Sequence, residues 1–374
     1  MNRSEESAGD GLFGRYGIQG NVRSQGRVDL TLRCLVRLLR RLRTEALSRT
    51  GLPWRHRIRA WRLGFTSESA ALYQVDPENS SLYVPCFAYA WRCYAMNGFL
   101  NPIVGNKLVV SQVLAANGIS HPRVLGLICN GEPRPVGPAP PGNGHRLLEL
   151  WTESARPVVF RPHWSGGGEG VFFLRREGLD WFLNGRAAPE ADVRRLIGGL
   201  DRYIATAFVD QAAYSRRIYP ETTNTLRVLT LSDADGPFVA SAVHRFGTTR
   251  SFPIDNFHHG TGGVCAGVDQ ATQSLGKAVT LNSKNQREWY DSHPQTGTRI
   301  EGVTIPGLSK GLDATLAAMR CFPEATCVGW DLLMTDGSYS ILEANAPPGI
   351  EVCQVHTPLL SDPRTARVFR SYGI

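Results

Sequence analysis

The stretch Gly329–Gly349, GWDLLMTDGSYSILEANAPPG, decides the fold. Two apolar runs flank Asp336-Gly337, a dipeptide suited to the positive backbone angles of a hairpin turn. Side chains alternate along a strand, so Glu343 and Asn345 project from one face while Leu342 and Ala344 take the other. A buried carboxylate is costly without a partner; a hard cation, an arginine or a substrate would each supply one. A two-residue loop at the turn would set Asp331 away from Glu343. A three-residue loop with a bulge shifts the register by one and brings Asp331 directly opposite Glu343, and this is the register we expect. It gathers Asp331, Glu343 and Asn345 on one face, an oxygen set of the kind Mg2+ accepts when it also holds phosphate oxygens. The plainer alternative is a hairpin whose carboxylates pair only with arginines.

Composition sets the frame around this hairpin. With 374 residues and 42% hydrophobic content, the chain supports a sizeable core in roughly two or three lobes. No window approaches the run of roughly 18 to 20 apolar residues that a membrane span needs. The start, MNRSEESAGDG, lacks a charged-then-apolar leader, so the expectation is a soluble cytoplasmic protein. Cys34, Cys86, Cys93, Cys129, Cys265, Cys321, Cys327 and Cys353 are scattered with no close pair, which argues for core residues over a zinc or redox site. The net charge of +8 is carried mostly by arginine; the lysines are Lys107, Lys277, Lys284 and Lys310. Arginine richness of this kind is no sign of nucleic-acid binding, because neither an aromatic-interleaved basic sheet nor a recognition-helix pattern accompanies it.

Along the chain, the first twenty or so residues carry no hydrophobic period and read as mobile. LTLRCLVRLLRRLRTEALSR then places Leu32, Leu35, Val36, Leu39 and Leu42 at helical spacing, with arginines between them. We expect this helix to bury its apolar face on the protein's own body or on a second subunit and to leave its basic face solvated. LPWRHRIRAWRLGF reads as a shorter helix ending near Gly64, and another follows with Tyr89, Trp91 and Tyr94. Asn106 or Gly105 can cap a helix from about Lys107 to Asn117. NGEPRPVGPAPPGNGH reads as a surface loop. NGISHPRVLGLI gives a C-cap turn and a strand, and further strands are expected at PVVFRP, VFFL, YIATAFV, NTLRVLTL, PFVASAVHRF, TGGVCAGV, CVGWDLLM and SYSILEAN, with a helix through APEADVRRLIGGL. No internal repeat is visible. Alternating elements followed by clustered strands give an α+β architecture with two lobes facing a cleft.

Two further features carry chemistry. SGGGEG lies between two strands, so neither the Walker A nor the Rossmann pattern applies, and a glycine-rich turn or a phosphate-covering flap both fit it. Arg227 in NTLRVLTL and Arg245 in AVHRFG project from alternating strands and need an anion, either a structural carboxylate or a ligand phosphate.

Taken in order, Lys107 at a helix start, the strand–glycine loop–strand unit, NTLRVLTL, HRFG, DNFHHGTGG, HPQTG with IPG, and GWDLLMTDGSYSILEANAPPG resemble the ATP-grasp superfamily. More narrowly they resemble the sugar-transfer-associated ATP-grasp group, related to glutamate ligases, from about Leu82 to the C-terminus. The resemblance implies an ATP-grasp fold, two α+β lobes clasping ATP, behind an N-terminal basic helical extension. It divides the chain into a mobile N-terminus (1–25), the basic extension (26–81), a first part of the ATP-grasp region (82–125), a small ATP-binding lobe with the glycine flap (126–212) and a C-terminal lobe with the metal site (213–374).

By that likeness Lys107 and Arg161 contact the nucleotide, and Ser165, Gly166, Gly167, Gly168 and Gly170 close over its phosphates. Arg227 and Arg245 hold the transferring phosphoryl group and the acyl phosphate; Asp331, Glu343 and Asn345 hold Mg2+, or Mn2+ in its place. His258 and His259 are the first choices for substrate contact among His244, His258, His259, His293 and His356. Arg161 departs from the usual lysine, keeping the charge but changing its geometry. Thr206-Ala207 stands where relatives often place the acidic ribose contact, with Asp210 as a substitute. The implied activity is an ATP-dependent carboxylate–amine ligase forming an amide through an acyl phosphate in specialised biosynthesis. A kinase on the same site, or a non-catalytic nucleotide- or saccharide-binding scaffold, are the alternatives. Expected partners are a small-molecule carboxylate and an amine, no nucleic acid, and a second copy through the N-terminal helix.

Overall fold

The computed structural model describes residues 22–47, 52–137, 144–153, 156–163, 170–257, 262–282 and 284–374. Helices come first: α1 (Val22–Leu47), α2 (Trp54–Arg62), α3 (Ser67–Tyr73), α4 (Cys86–Asn97), α5 (Leu100–Val104) and α6 (Lys107–Ala116). The middle of the chain holds β1 (Val124–Cys129), β2 (Glu132–Pro135), α7 (Gly144–Thr152), β3 (Val158–Pro162), β4 (Phe172–Glu177), β5 (Asp180–Leu183), β6 (Arg186–Ala188), α8 (Glu190–Gly198) and β7 (Tyr203–Ala207). The remainder is α9 (Ala213–Ile218), β8 (Leu226–Asp233), β9 (Gly236–Phe246), β10 (Val264–Asp269), β11 (Ser274–Leu281) and β12 (Arg287–Tyr290). It closes with α10 (Leu308–Arg320), β13 (Cys327–Thr335), β14 (Ser338–Asn345) and α11 (Pro363–Ser371).

The strands form two seven-stranded sheets, ordered β2-β1-β7-β3-β4-β5-β6 and β12-β11-β10-β9-β8-β13-β14. Neighbouring strands within each are antiparallel. In the second sheet β8 is covered on both faces, which is why its sequence is nearly continuously apolar. Leu226 and Val228 join a core with Val110 and Leu114 of α6 and Leu312 and Met319 of α10. Leu229 and Leu231 join another with Tyr89 and Met96 of α4 and Phe369 of α11. Trp330 lies wholly buried in the first of these cores, and its indole N–H donates to Thr230 Oγ1 at 2.9 Å. The first sheet rests its β3–β4 face on α7 and α8, with Phe160 stacked on Phe172 at 4.8 Å between ring centroids.

The hairpin carries the first correction. Asp331 does oppose Glu343, but the turn is a two-residue loop, with Thr335 paired to Ser338 and Gly337 at φ +82°. The shift of register lies inside the strand, between the Leu332–Ile341 and Asp331–Glu343 pairs, so that Leu342 is the extra residue. Sequence arithmetic counted the extra residue correctly and put it in the wrong place.

A second correction concerns α1. The period is helical, but toward the protein's own body its faces are reversed: Leu32, Leu35, Val36, Leu39 and Leu42 are exposed on this chain, whereas Cys34, Arg37, Arg41 and Glu45 turn toward the body. Polar partners await them there. Glu45 Oε1 accepts from Trp61 Nε1 at 2.9 Å, from Ser67 N at 3.0 Å and from Ser67 Oγ. Arg37 lies over the rings of Tyr89 and Tyr94, and Arg41 pairs with Glu351. Buried polar groups seek hydrogen bonds first, and here that requirement outweighs the burial of a leucine stripe.

Elsewhere α2, α4, α6 and α8 form where their sequence signals place them, and Asn106 caps α6 by accepting from Leu108 N and Val109 N. Strand β2 falls inside the segment expected to be only loop. Elements α3, α5, α7, α9, α10, α11, β5, β6, β11 and β12 lie outside the expected set. No helix among the described residues is long and apolar enough to cross a membrane.

Candidate active site between the two sheets

Asp331 sits on β13 between two guanidinium groups. Arg227, its direct neighbour across the β8–β13 ladder, donates from Nε to Oδ1 at 2.7 Å. Arg245 on β9 places Nη2 3.0 Å from Oδ2. All three residues are buried, at 7–8% exposure. Burial alone would raise the Asp331 carboxyl, but the two arginines hold it well below the ordinary carboxylate range. Gly329 makes room for this arrangement: a Cβ there would lie 2.8 Å from Pro348 Cβ and 3.3 Å from Arg227 Nη1.

Asp255 extends the cluster. Its Oδ2 accepts from Thr225 N at 2.7 Å and Thr225 Oγ1 at 2.6 Å, and lies 3.5 Å from Arg245 Nε. Burial pushes this carboxyl up, and Arg245 and the Thr225 hydrogen bonds counter it. Sequence reasoning had not singled out Thr225 or Asp255. Thr225 stands two residues before Arg227 and so shares its face, a signal that period-two reading could have used.

Glu343 collects cations from the other side. Lys107, the first residue of α6, brings Nζ to 3.1 Å from Glu343 Oε2, and Asn345 Nδ2 reaches Oε1 at 3.4 Å. Arg161 comes from β3 of the opposite sheet and donates from Nη1 to the carbonyl of the bulged Leu342 at 3.1 Å. Its Nε is buried without a hydrogen-bond partner. Burial pushes the Arg161 guanidinium down, and Glu343 and Asp331 counter it.

Lys107, Arg161, Arg245, Asp331 and Glu343 thus line one cavity of about 120 Å³, whose apolar wall includes Val159, Phe173, Phe208, Leu333 and Leu342. Greasy walls next to clustered cations suit a ligand that is flat and apolar at one end and anionic at the other.

Other sequence candidates are placed as follows. Gly170, at φ +75°, enters β4, and a Cβ there would meet Tyr203 Oη at 2.5 Å. Ser165, Gly166, Gly167, Gly168, His258 and His259 lie outside the described residues, as do the first twenty residues. Thr206 and Ala207 line the cavity, whereas Asp210 pairs with Arg156 at 2.6 Å on the surface. His244, His293 and His356 are structural in their contacts. His244 Nε2 meets Tyr214 Oη at 2.9 Å, His293 Nε2 meets Gly247 O at 2.8 Å, and His356 Nε2 meets Cys265 O at 2.9 Å.

Two carboxylates and one amide on a single hairpin do not amount to an all-protein metal cage, and among the described residues no group of three or more His, Cys, Asp or Glu could hold an ion. The donors do fit Mg2+ of the kind bound through one or two carboxylates and completed by phosphate oxygens. The unpartnered Arg161 Nε and the Lys107 ammonium fit those phosphates. Asp331 also meets the plainer expectation of a carboxylate paired with arginines, whereas Glu343 pairs with Lys107 instead.

Comparison with known proteins supplies the remaining findings. Residues 92–365 match the model of the sugar-transfer associated ATP-grasp family. Among solved structures, a D-alanine–D-alanine ligase from Bacillus anthracis aligns at 12% identity over 72% of this chain and 70% of its own, with a TM-score of 0.37. The ATP-grasp ligase PsnB, complexed with minimal precursor, aligns at 14% identity over 74% and 63%, with a TM-score of 0.39. An L-amino acid ligase from Bacillus licheniformis aligns at 13% identity over 66% and 41%, with a TM-score of 0.36. No curated protein matches in sequence.

Proposed function

Because the chain belongs to the sugar-transfer associated ATP-grasp family and has its α+β ATP-grasp fold, we propose that it is an ATP-dependent carboxylate–amine ligase. The observation that carries this reading is the convergence of Lys107, Arg161, Arg227 and Arg245 on Asp331 and Glu343 beside an apolar slot.

In this reading the slot takes the adenine ring, while Lys107 and Arg161 hold the phosphates. The glycine segment, with Ser165, Gly166, Gly167, Gly168 and Gly170, covers them. A carboxylate is a poor acyl donor because its leaving group would be oxide; conversion to an acyl phosphate, with departure of ADP, supplies a good one. Arg227 and Arg245 neutralise and align the carboxylate and the transferring phosphoryl group, which is positioning and charge stabilisation rather than covalent catalysis. Asp331, Glu343 and Asn345 would hold Mg2+, which when bound offsets the negative charge of the phosphate oxygens. A neutral amine then attacks the acyl carbon, phosphate leaves with the C–O bonding pair, and the amine proton passes to a base or to solvent. His258 and His259 are assigned to substrate contact.

The test is an ADP-release screen over amino acids and small carboxylic acids with Mg2+, with and without amines, followed by mass spectrometry of the products. Amine-dependent amide formation is expected, and Glu343→Ala should abolish it. A stable phosphorylated product formed without an amine would replace the ligase reading by a kinase. Appreciable turnover in Glu343→Ala would remove the metal assignment.

A further inference from the structure

A second cavity, of about 510 Å³, adjoins the nucleotide slot at Arg245. Arg245 and Asn256 line both spaces, so the two meet at the residue assigned to the group being activated. Arg227, Asn345 and Gly349 continue its wall from the candidate active site. The remainder of the wall is unexpected: Arg37, Arg40, Arg41 and Thr44 come from α1, which precedes the family match at residues 92–365. The reversal of the faces of α1 is what brings these arginines to the site.

The charges in this cavity are unequal. Five arginines line it, namely Arg37, Arg40, Arg41, Arg227 and Arg245, against two glutamates, Glu68 and Glu351, while Arg227 and Arg245 also face Asp331 and Asp255 behind the wall. Glu351 is engaged by Arg41, and Arg37 is held over two tyrosine rings. Arg40 makes no ion pair with any described residue. Arg37, Arg40 and Arg41 from α1 and the activating pair Arg227 and Arg245 thus line one half-open cavity, which presents guanidinium groups to an anion from two separate parts of the fold.

We infer that α1 forms a wall of the substrate site and that the carboxylate substrate carries a second anionic group, a further carboxylate or a phosphate, bound by Arg40 and Arg41. This assignment rests on the ligase reading for which end of the substrate reacts. Recognition of the second anion does not depend on turnover. One end of the substrate would lie against Arg227 and Arg245, on the side that faces this cavity, for activation, and the other would be fixed by α1. The reacting carboxylate is thereby selected over the distal group by distance from the phosphoryl donor. A monocarboxylate would lose the distal charge-assisted hydrogen bonds and with them both affinity and alignment.

Calorimetry on the full chain, with Mg2+ and AMP-PNP present, would compare glutarate and 4-phosphonobutyrate with butyrate. The expected result is a preference of about tenfold or more for the two dianions, as charge-assisted hydrogen bonds predict. Arg40→Gln should reduce that preference, Arg40→Gln/Arg41→Gln should remove it, and Arg40→Lys should restore part of it. AMP-PNP affinity of the same variants reports on folding independently of the distal site. Equal binding of butyrate and the dianions by the natural protein, or a preference that survives in both glutamine variants, overturns the assignment. Failure of amide formation with a dianion that binds selectively would instead count against the ligase reading alone.

Discussion

Asp331 and Glu343 face each other across the β13–β14 pair because Leu342 is bulged out of the ladder, while the Asp336-Gly337 turn keeps the two-residue form. The carbonyl of the bulged residue in turn receives Arg161 from the opposite sheet. Register and inter-sheet contact therefore originate in one residue of β14, several pairs away from the turn. Gly337→Ala tests this separation. Its φ of +82° disfavours a side chain, and the variant should lose roughly 1 kcal/mol of stability in urea unfolding. AMP-PNP affinity and turnover should stay within about twofold, because the bulge and not the turn sets the active register. A large loss of nucleotide affinity in a folded Gly337→Ala protein would place the register determinant back in the turn.

The trio of Asp331, Arg227 and Arg245 allows stability and catalysis to be separated. Asp331→Asn removes the charge that both buried guanidinium groups face, and the expected cost is about 3 kcal/mol or more by chemical denaturation. The double variant Asp331→Leu/Arg227→Met removes the pair together, leaving Arg245 with Asp255 and Thr225. It should recover much of the lost stability yet remain inactive, since a hydrophobic replacement packs as well as the ion pair but holds neither metal nor phosphoryl group. Activity in the double variant would show that the cluster is structural only.

Acid should destabilise the fold through its buried histidines. Burial pushes His244 down to about 3 and His356 down to about 4, with backbone hydrogen bonds only partly offsetting it. Both are neutral in the folded protein at pH 5.5, whereas an unfolded histidine titrates near 6.5 and is largely protonated there. The unfolded state therefore binds more protons, and stability is lost as pH falls from about 6.5 toward the folded values. Each histidine contributes about 1.4 kcal/mol of loss between pH 7.5 and 5.5. His356→Gln keeps a donor for Cys265 O and should shrink the difference between those two pH values by about that amount, whatever its effect at either pH. An unchanged difference in urea unfolding would show that His356 is protonated in the fold.

Much of this site was legible because side chains alternate along each strand outside the bulge. Arg227, Arg245, Asp331, Glu343 and Asn345 could be set on faces from period two alone, and the cap at Asn106 placed Lys107 at a helix start. What escaped the sequence depended on contacts distant along the chain. Helix α10 covers the large sheet, and β11 and β12 extend it, yet their pattern is no stronger than that of a loop until the sheet exists. The orientation of α1 escaped for the same reason. A leucine period announces a helix, but which face is buried was decided by Glu45, Arg37 and Arg41 finding partners on α2, α3, α4 and the segment after β14.

That dependence makes Glu45 the residue through which the placement of α1 can be switched. Its carboxylate, 6% exposed, serves Trp61 Nε1 of α2 and both the N–H and hydroxyl of Ser67 at the start of α3, while Arg57 Nη2 donates to its backbone carbonyl. Glu45→Ala leaves those donors buried without their acceptor, at a cost of about 1–3 kcal/mol concentrated at one junction. Stability is not uniform across a structure, and a loss of that size confined to a peripheral helix favours local opening over global unfolding. Trypsin should then cleave at the arginines of α1 several-fold faster, while the rest of the chain resists as before. AMP-PNP affinity should hold, because none of the nucleotide-slot residues comes from α1. The preference for dianionic over monoanionic acids should fall together with the helix, since Arg40 and Arg41 reach the second cavity only while α1 is docked. Unaltered cleavage in Glu45→Ala would mean that the leucine face, and not the polar one, holds α1 in place.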